Sequence, residues 1–238
     1  MEAALVGLLG LVVGAALSPL VTALAAWPGG PPGEGETPEE SSPQPLTHRG
    51  EAGFARPLAL ILERPLQATL LALATGGVFA AAALRYDDAG QLAVVAVYAC
   101  AFLVCGATDL LSFRVPNVVT YPAIAGALLI AAFMPGSELG PSLAGGALAG
   151  GMLLFLAVVS RGGVGLGDVK LATFAGLALG WPLAFTALLI TALGGGLISG
   201  LALLLRLRRR SDPLPYAPFI AAAAVAVMLW QGTNFREP

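Results

Sequence analysis

The sequence predicts an all-α, polytopic integral membrane protein with about eight transmembrane helices. Three observations carry that expectation. Of the 238 residues, 57% are hydrophobic and only 11% are charged. The mean hydropathy is +0.84. Uncharged runs near the ~20 residues that a helix needs to cross a bilayer recur along the chain. A soluble domain of this length needs a polar shell, and long stretches here hold no side chain able to form one. The lipid bilayer is therefore the expected partner of that surface. With 12 basic and 14 acidic side chains the net charge is −2, so bulk charge does not suggest a nucleic-acid partner.

The first run, Ala3 to Ala26, has Glu2 where a signal peptide carries a basic region, and it is too long for one, so it reads as a span. The chain is polar from Trp27 to Pro65. The Pro, Gly, Glu and Ser content of PGGPPGEGETPEESSPQP buries too little apolar area to offset chain entropy, and the loop is expected to be largely disordered up to about Leu46. Further spans are read at Leu66 to Leu84, Ala89 to Thr108, Val118 to Met134 and Leu139 to Ser160. A short one opens near Asp168 and ends by Gly180; Leu183 to Leu205 and Tyr216 to Trp230 complete the set. The uncharged stretch Leu171 to Leu205 is divided at Gly180-Trp181-Pro182, since Gly ends helices well and Pro starts them well. The domain reading is a first helix over 1–27, a cytoplasmic polar loop over 28–65 and a membrane domain over 66–238.

Orientation follows from the basic residues. With the amino terminus outside, Arg49, Arg56, Arg64, Arg114, Arg161, Lys170, Arg206, Arg208, Arg209 and Arg210 face the cytoplasm, against Arg85 and Arg236 outside. Removing one crossing would put the RLRRR cluster on the wrong side, so the charge bias supports eight spans. The cluster itself reads most simply as an anchor at anionic headgroups. The expected location is the inner, cytoplasmic membrane.

Membrane helices avoid charge, which makes carboxylates at helix ends informative. The glutamates of the polar loop, Asp87, Asp88 and Glu138 in outer turns, and Asp212 after the basic cluster are unremarkable by position. Asp109 closes the third span in GATDLLSFRVPN, and Asp168 opens the sixth in RGGVGLGDVK. Taken singly, Asp168 could be an N-cap and Asp109 a span terminator. Taken together, two carboxylates on the same membrane face are what a shared-proton pair requires, one ionised as base and one protonated as acid. Such a pair activates water against a peptide carbonyl and protonates the leaving amine. Paired carboxylates also serve as proton or cation relays in transporters, usually nearer the midplane than these. Gly162, Gly163, Gly165 and Gly167 remove side chains on the approach to Asp168 and would let a substrate backbone come close. Neither phosphate-binding fingerprint fits GGVGLGDVK. Pro116 and Asn117 break the chain and cap the fourth span, while Lys170 either tunes the pair or marks the membrane boundary. Pro215, Pro218, Tyr216 and Phe219 shape the start of the last span. Cys100 and Cys105 are too few for a disulfide framework or a zinc site, and His48 lies alone in the polar loop.

The stretch Asp109-x5-Val115-Pro116-Asn117, followed by Gly165-x-Gly167-Asp168-x-Lys170, resembles the two signatures of the type IV prepilin peptidases, membrane aspartyl proteases of the GxGD class. Pro215-Tyr216-Ala217-Pro218-Phe219 is similar to their carboxy-terminal PFGPF-like segment, with Ala in place of the usual Gly. The resemblance runs over roughly Gln91 to Trp230, and the opening span through Gly14 looks like the family's first helix. It implies an aspartic endopeptidase with Asp109 and Asp168 as the catalytic pair. Pro116, Asn117, Gly165, Gly167 and Lys170 would bind substrate or shape the site. The implied partners are prepilin or pseudopilin precursors, whose leader is removed on the cytoplasmic side. Bifunctional members carry a cysteine tetrad in the first cytoplasmic loop, associated with N-methylation of the product. The loop here has no cysteine, so no cofactor and no bound metal are expected and N-methylation is in doubt. A preflagellin-type or other GxGD intramembrane protease, a carboxylate-based transporter and a catalytically silent scaffold are the competing readings.

Overall fold

The structure is a computed structural model that describes residues 2–26, 65–160, 164–205 and 215–235. Within them lie eight helices: α1 (Glu2–Ala25), α2 (Pro65–Arg85), α3 (Ala89–Ser112), α4 (Asn117–Phe133), α5 (Leu139–Val159), α6 (Leu166–Leu179), α7 (Leu183–Leu204) and α8 (Ala217–Trp230). They fall where the eight apolar segments are expected, and the chain is a polytopic, all-helical membrane protein. The polar loop, its expected disorder and His48 lie outside the described residues, as do Gly162, Gly163 and the RLRRR cluster.

Length separates the eight helices. Among the described residues α1, α2, α3 and α5 are long and apolar enough to cross a bilayer. By contrast α6 and α8 have 14 residues each, about 21 Å of helix against a hydrocarbon core of about 30 Å. For α6 the surroundings explain the shortness. Leu171, Ala172 and every residue from Phe174 to Leu179 are buried, so this helix meets protein rather than lipid around its circumference. Its Phe174 ring stacks on Phe102 of α3 at 4.5 Å and meets Tyr98 edge-on at 5.4 Å. The outer helices have the opposite character, with Leu5, Leu8 and Val12 of α1, Phe155 and Val158 of α5, and Leu193 and Leu197 of α7 exposed.

Helices that bury no apolar surface from water on meeting must gain from close packing instead. At the α1–α2 crossing a Cβ on Gly14 would come within 2.6 Å of the Ala72 Cα, so the two backbones touch. At the α5–α6 crossing a Cβ on Gly176 would come within 2.2 Å of the Gly145 carbonyl oxygen.

The connections show where local chemistry was legible. The Gly180-Trp181-Pro182 break does divide α6 from α7: Gly180 takes φ 70 and its N–H donates to Gly176, ending α6. Asp88, an unremarkable turn residue by sequence, is the N-cap of α3, its Oδ1 accepting from the Gln91 N–H at 2.8 Å. At this end of the bundle Asn234, beyond α8, donates to the Glu138 carbonyl at 2.5 Å and to the Ser142 hydroxyl at 2.7 Å. The Tyr86 hydroxyl donates to the Met228 carbonyl at 2.8 Å. Together these bonds tie α2, α5 and α8 across the end opposite the two aspartates.

Candidate active site

Helix α3 runs four residues past the expected Thr108, to Ser112. Asp109 therefore sits inside the last turn of α3, 5% exposed, and does not terminate it. The helix stops at Phe113, which adopts left-handed φ 52 and ψ 34, a conformation uncommon for a residue with a Cβ. The Phe113 N–H donates to the Asp109 carbonyl at 2.8 Å. That reversal leads through Arg114 and Val115 to Pro116, the N-cap of α4, which has no N–H to satisfy. Asn117 is the first residue of α4 and makes no side-chain cap. Its Oδ1 accepts from Lys170 Nζ at 3.0 Å. Asp168 likewise is not an N-cap: Gly165 holds that position and Asp168 is the third helical residue of α6.

The last turn of α3, the α3–α4 turn and the first turn of α6 converge on one cleft of about 620 Å³. Asp109 and Asp168, 59 positions apart in the chain, both line it. So do Pro116, Asn117, Gly165, Gly167 and Lys170, so the residues of the first two motifs that the resemblance marks as site residues reach the same cavity. The walls are otherwise largely apolar, with Leu24 from the end of α1, Phe113, Val115, Val118 and Leu166, and Arg114 adds a cation at the rim.

Asp109 has a specific partner. The Ala217 N–H, at the amino end of α8, donates to Asp109 Oδ2 at 3.2 Å. Helix amino ends present unsatisfied N–H groups and a positive partial charge, so α8 offers the carboxylate a fixed donor away from water. Pro218 in the first turn of α8 suits this, since it needs no donor position of its own there. The third motif is thus part of the same site, next to the first two. Tyr216 precedes it as the N-cap of α8, with its ring edge against Gly195 of α7.

Gly167 has a different task from the one expected. A Cβ there would lie 2.9 Å from Val115 Cβ, so the bare face of Gly167 is filled by the α3–α4 turn and not left open for a substrate. At Gly165 a Cβ would make only an ordinary 3.4 Å contact with Asp168 Oδ2. Lys170 is not paired with a carboxylate among the described residues; besides Asn117, its ammonium lies 4.7 Å over the Tyr121 ring. Among the described residues no three His, Cys, Asp or Glu side chains group as a metal site would need.

Sequence reasoning missed Leu24, Phe113, Tyr121 and the Ala217 N–H. Only the last had a signal, the Pro at the second helical position that marks a helix start. Leu24 enters by helix packing, and Phe113 by a left-handed turn that no Gly or Asn announces.

Comparison with known proteins agrees with the motifs. Residues 96–200 match the family model described as the type IV leader peptidase family. A prepilin leader peptidase/N-methyltransferase of Bacillus subtilis (strain 168) is 34% identical over 166 residues, 66% of this chain and 64% of that protein. A protein of the same description from Burkholderia pseudomallei (strain 1026b) is 30% identical over 172 residues, 70% of this chain and 55% of that protein. One from Aeromonas hydrophila is 32% identical over 128 residues, covering 51% and 44%. The chain thus spans less than two thirds of the length of these curated relatives. No solved structure matches it.

Proposed function

Residues 96–200 of this chain belong to the type IV leader peptidase family, and from that premise we propose that the protein is a membrane aspartic endopeptidase that removes the leader of prepilin-like precursors. Asp109 and Asp168 are the reacting pair. The observation that carries the reading is their convergence, from two separate motifs, on one largely apolar cleft. In such surroundings two nearby carboxylates do not both ionise readily, which favours one shared proton. The ionised partner takes a proton from water as the water attacks the scissile carbonyl. The protonated partner gives its proton to the developing oxyanion or leaving amine, and the pair is regenerated with roles exchanged. The Ala217 N–H holds Asp109 in place while this happens. The apolar walls suit a substrate whose cleavage site borders a hydrophobic segment.

In this reading residues 66–238 form the peptidase domain, residues 28–65 a cytoplasmic loop, and the cleft faces the cytoplasm of the inner membrane. The ten-to-two distribution of basic residues supports that orientation. The activity proposed is the peptidase alone: both cysteines of the chain, Cys100 and Cys105, lie in α3, and the polar loop has none to match the tetrad tied to N-methylation.

The test is co-expression with a prepilin-like precursor, with leader removal followed by gel shift and the product's amino terminus by mass. Wild type is expected to cleave and to leave the new amino terminus unmethylated. Asp109→Asn and Asp168→Asn should each lower the rate by at least about 10²–10⁴-fold, the usual contribution of acid–base catalysis. Undiminished cleavage by either variant sinks the mechanism.

A further inference from the structure

Lys170 lies two residues beyond Asp168 and lines the same cleft, and its ammonium is engaged by α4 rather than by either aspartate. It donates to Asn117 Oδ1 at 3.0 Å and lies 4.7 Å over the Tyr121 ring. Asn117 and Tyr121 are four residues apart on α4 and so present neighbouring side chains on one face. Lys170 therefore reaches from α6 onto a two-point seat on α4, with an amide oxygen on one side and an aromatic face on the other. A hydrogen bond fixes direction and a cation over a ring fixes height, so together they define where the ammonium sits better than either alone.

The same elements meet at a second point. Gly167, three residues before Lys170 and on the same side of α6, is in contact with Val115. Val115 and Asn117 flank Pro116 in the turn that starts at Phe113, which is hydrogen-bonded to the Asp109 carbonyl. A closed mechanical circuit results. It runs from Asp109 through the α3–α4 turn to Val115 and Asn117, across to Gly167 and Lys170, and back along α6 to Asp168. The two contacts bracket Asp168, one on each side in sequence.

We propose that Lys170, seated on Asn117 and Tyr121, is a positioning residue that sets the separation of Asp109 and Asp168 across the cleft. The inference rests on the peptidase reading above and deepens it by giving Tyr121 a role no motif assigned it. It separates from a purely electrostatic role for Lys170, because Tyr121 carries no charge and its removal leaves every charge in the cleft unchanged.

The experiment measures kcat and KM for leader cleavage by wild type, Tyr121→Leu, Lys170→Met and Asn117→Ala, with Tyr121→Phe and Lys170→Arg as conservative replacements. The expected result is a kcat about 10- to 100-fold lower in the first three, the scale of a misplaced reacting group. KM should be unchanged, and the two conservative variants should recover most of the rate. The Tyr121→Leu/Lys170→Met double variant should lose no more than the worse single one, since both break the same link. Full kcat in Tyr121→Leu, or a loss confined to KM, overturns the proposal.

A second readout needs no substrate. Spin labels at Val118→Cys and Leu166→Cys, exposed residues on α4 and α6 at the cleft, in a Cys100→Ala/Cys105→Ala background, report the separation of the two helices. Their distance distribution should broaden in Tyr121→Leu and Lys170→Met and stay narrow in Lys170→Arg. If wild type leaves prepilins intact, the peptidase reading falls while these distances still judge the link. An unchanged distribution in both disrupting variants overturns it.

Discussion

At the end of the bundle that carries Asp109 and Asp168, a cleft of about 620 Å³ stands between the ends of α1 and α3 and the beginnings of α4 and α6. At the opposite end Asn234 joins α5 by two hydrogen bonds, Tyr86 joins α8 by another, and Asp88 caps α3. Both ends face the same problem, that helix termini leave backbone groups unsatisfied. They solve it differently. The opposite end satisfies its groups with side chains from neighbouring elements, Asn234, Tyr86 and Asp88. The cleft end turns one such terminus, the α8 N–H at Ala217, toward a carboxylate, and it leaves Phe113 in a left-handed conformation with its side chain half exposed. Satisfying helix ends is therefore a source of stability at one end of the bundle and of site geometry at the other.

If that contrast holds, substitutions at the cleft end should change rate more than stability, and those at the far end the reverse. After the two aspartates, the largest effect is expected at Gly167. A methyl there meets Val115 Cβ at 2.9 Å, the α3–α4 turn must shift, and Gly167→Ala should lose about 10- to 100-fold in cleavage rate with a melting temperature close to wild type. A drop in melting temperature with the rate preserved would break the comparison from this side. Next comes Asn234→Ala. It leaves the Ser142 hydroxyl and the Glu138 carbonyl without that donor, and it should cost about 1–3 kcal/mol in mixed-micelle unfolding while cleavage proceeds at the wild-type rate. The smallest effect is Asp88→Ala, which removes the α3 cap and should cost about 1 kcal/mol. Because α3 carries Asp109 at its other end, a rate change in Asp88→Ala would show that the two ends are coupled along that helix.

Much of the fold was legible because the bilayer imposes it. A chain that must satisfy its backbone in lipid has little choice but helix, so uncharged runs located all eight helices to within a few residues, and Gly180-Trp181-Pro182 marked the break between α6 and α7. What hydropathy left open was which runs meet lipid and which meet protein. Helix α6 is apolar for the second reason, and its 14 residues show it only once its neighbours are known. In the site the candidate pair could be named from the scarcity of charge, its shared membrane face and the motifs around it, but several local roles shifted. Pro116 caps α4, as the Pro116-Asn117 pair suggested, but Asp168, which suits a cap by residue type, yields that position to Gly165. Gly167 suits substrate access by lack of a side chain, yet Val115 fills the space. Lys170 reaches across to α4, a contact that no pattern along the chain announced.

The sequence by itself determined that the chain is helical and membrane-embedded, and that Asp109 and Asp168 are the carboxylates to watch, because cost of burial leaves so few charges in such a chain. Only the tertiary structure decided that these two share a cleft, that the amino end of α8 holds one of them, that Leu24 lines the cleft with them, and that Tyr121 lies against Lys170. Those are contacts between segments distant along the chain. Their geometry is set by how closely helices approach at glycines such as Gly14, Gly145 and Gly176, and no local pattern of residues encodes that.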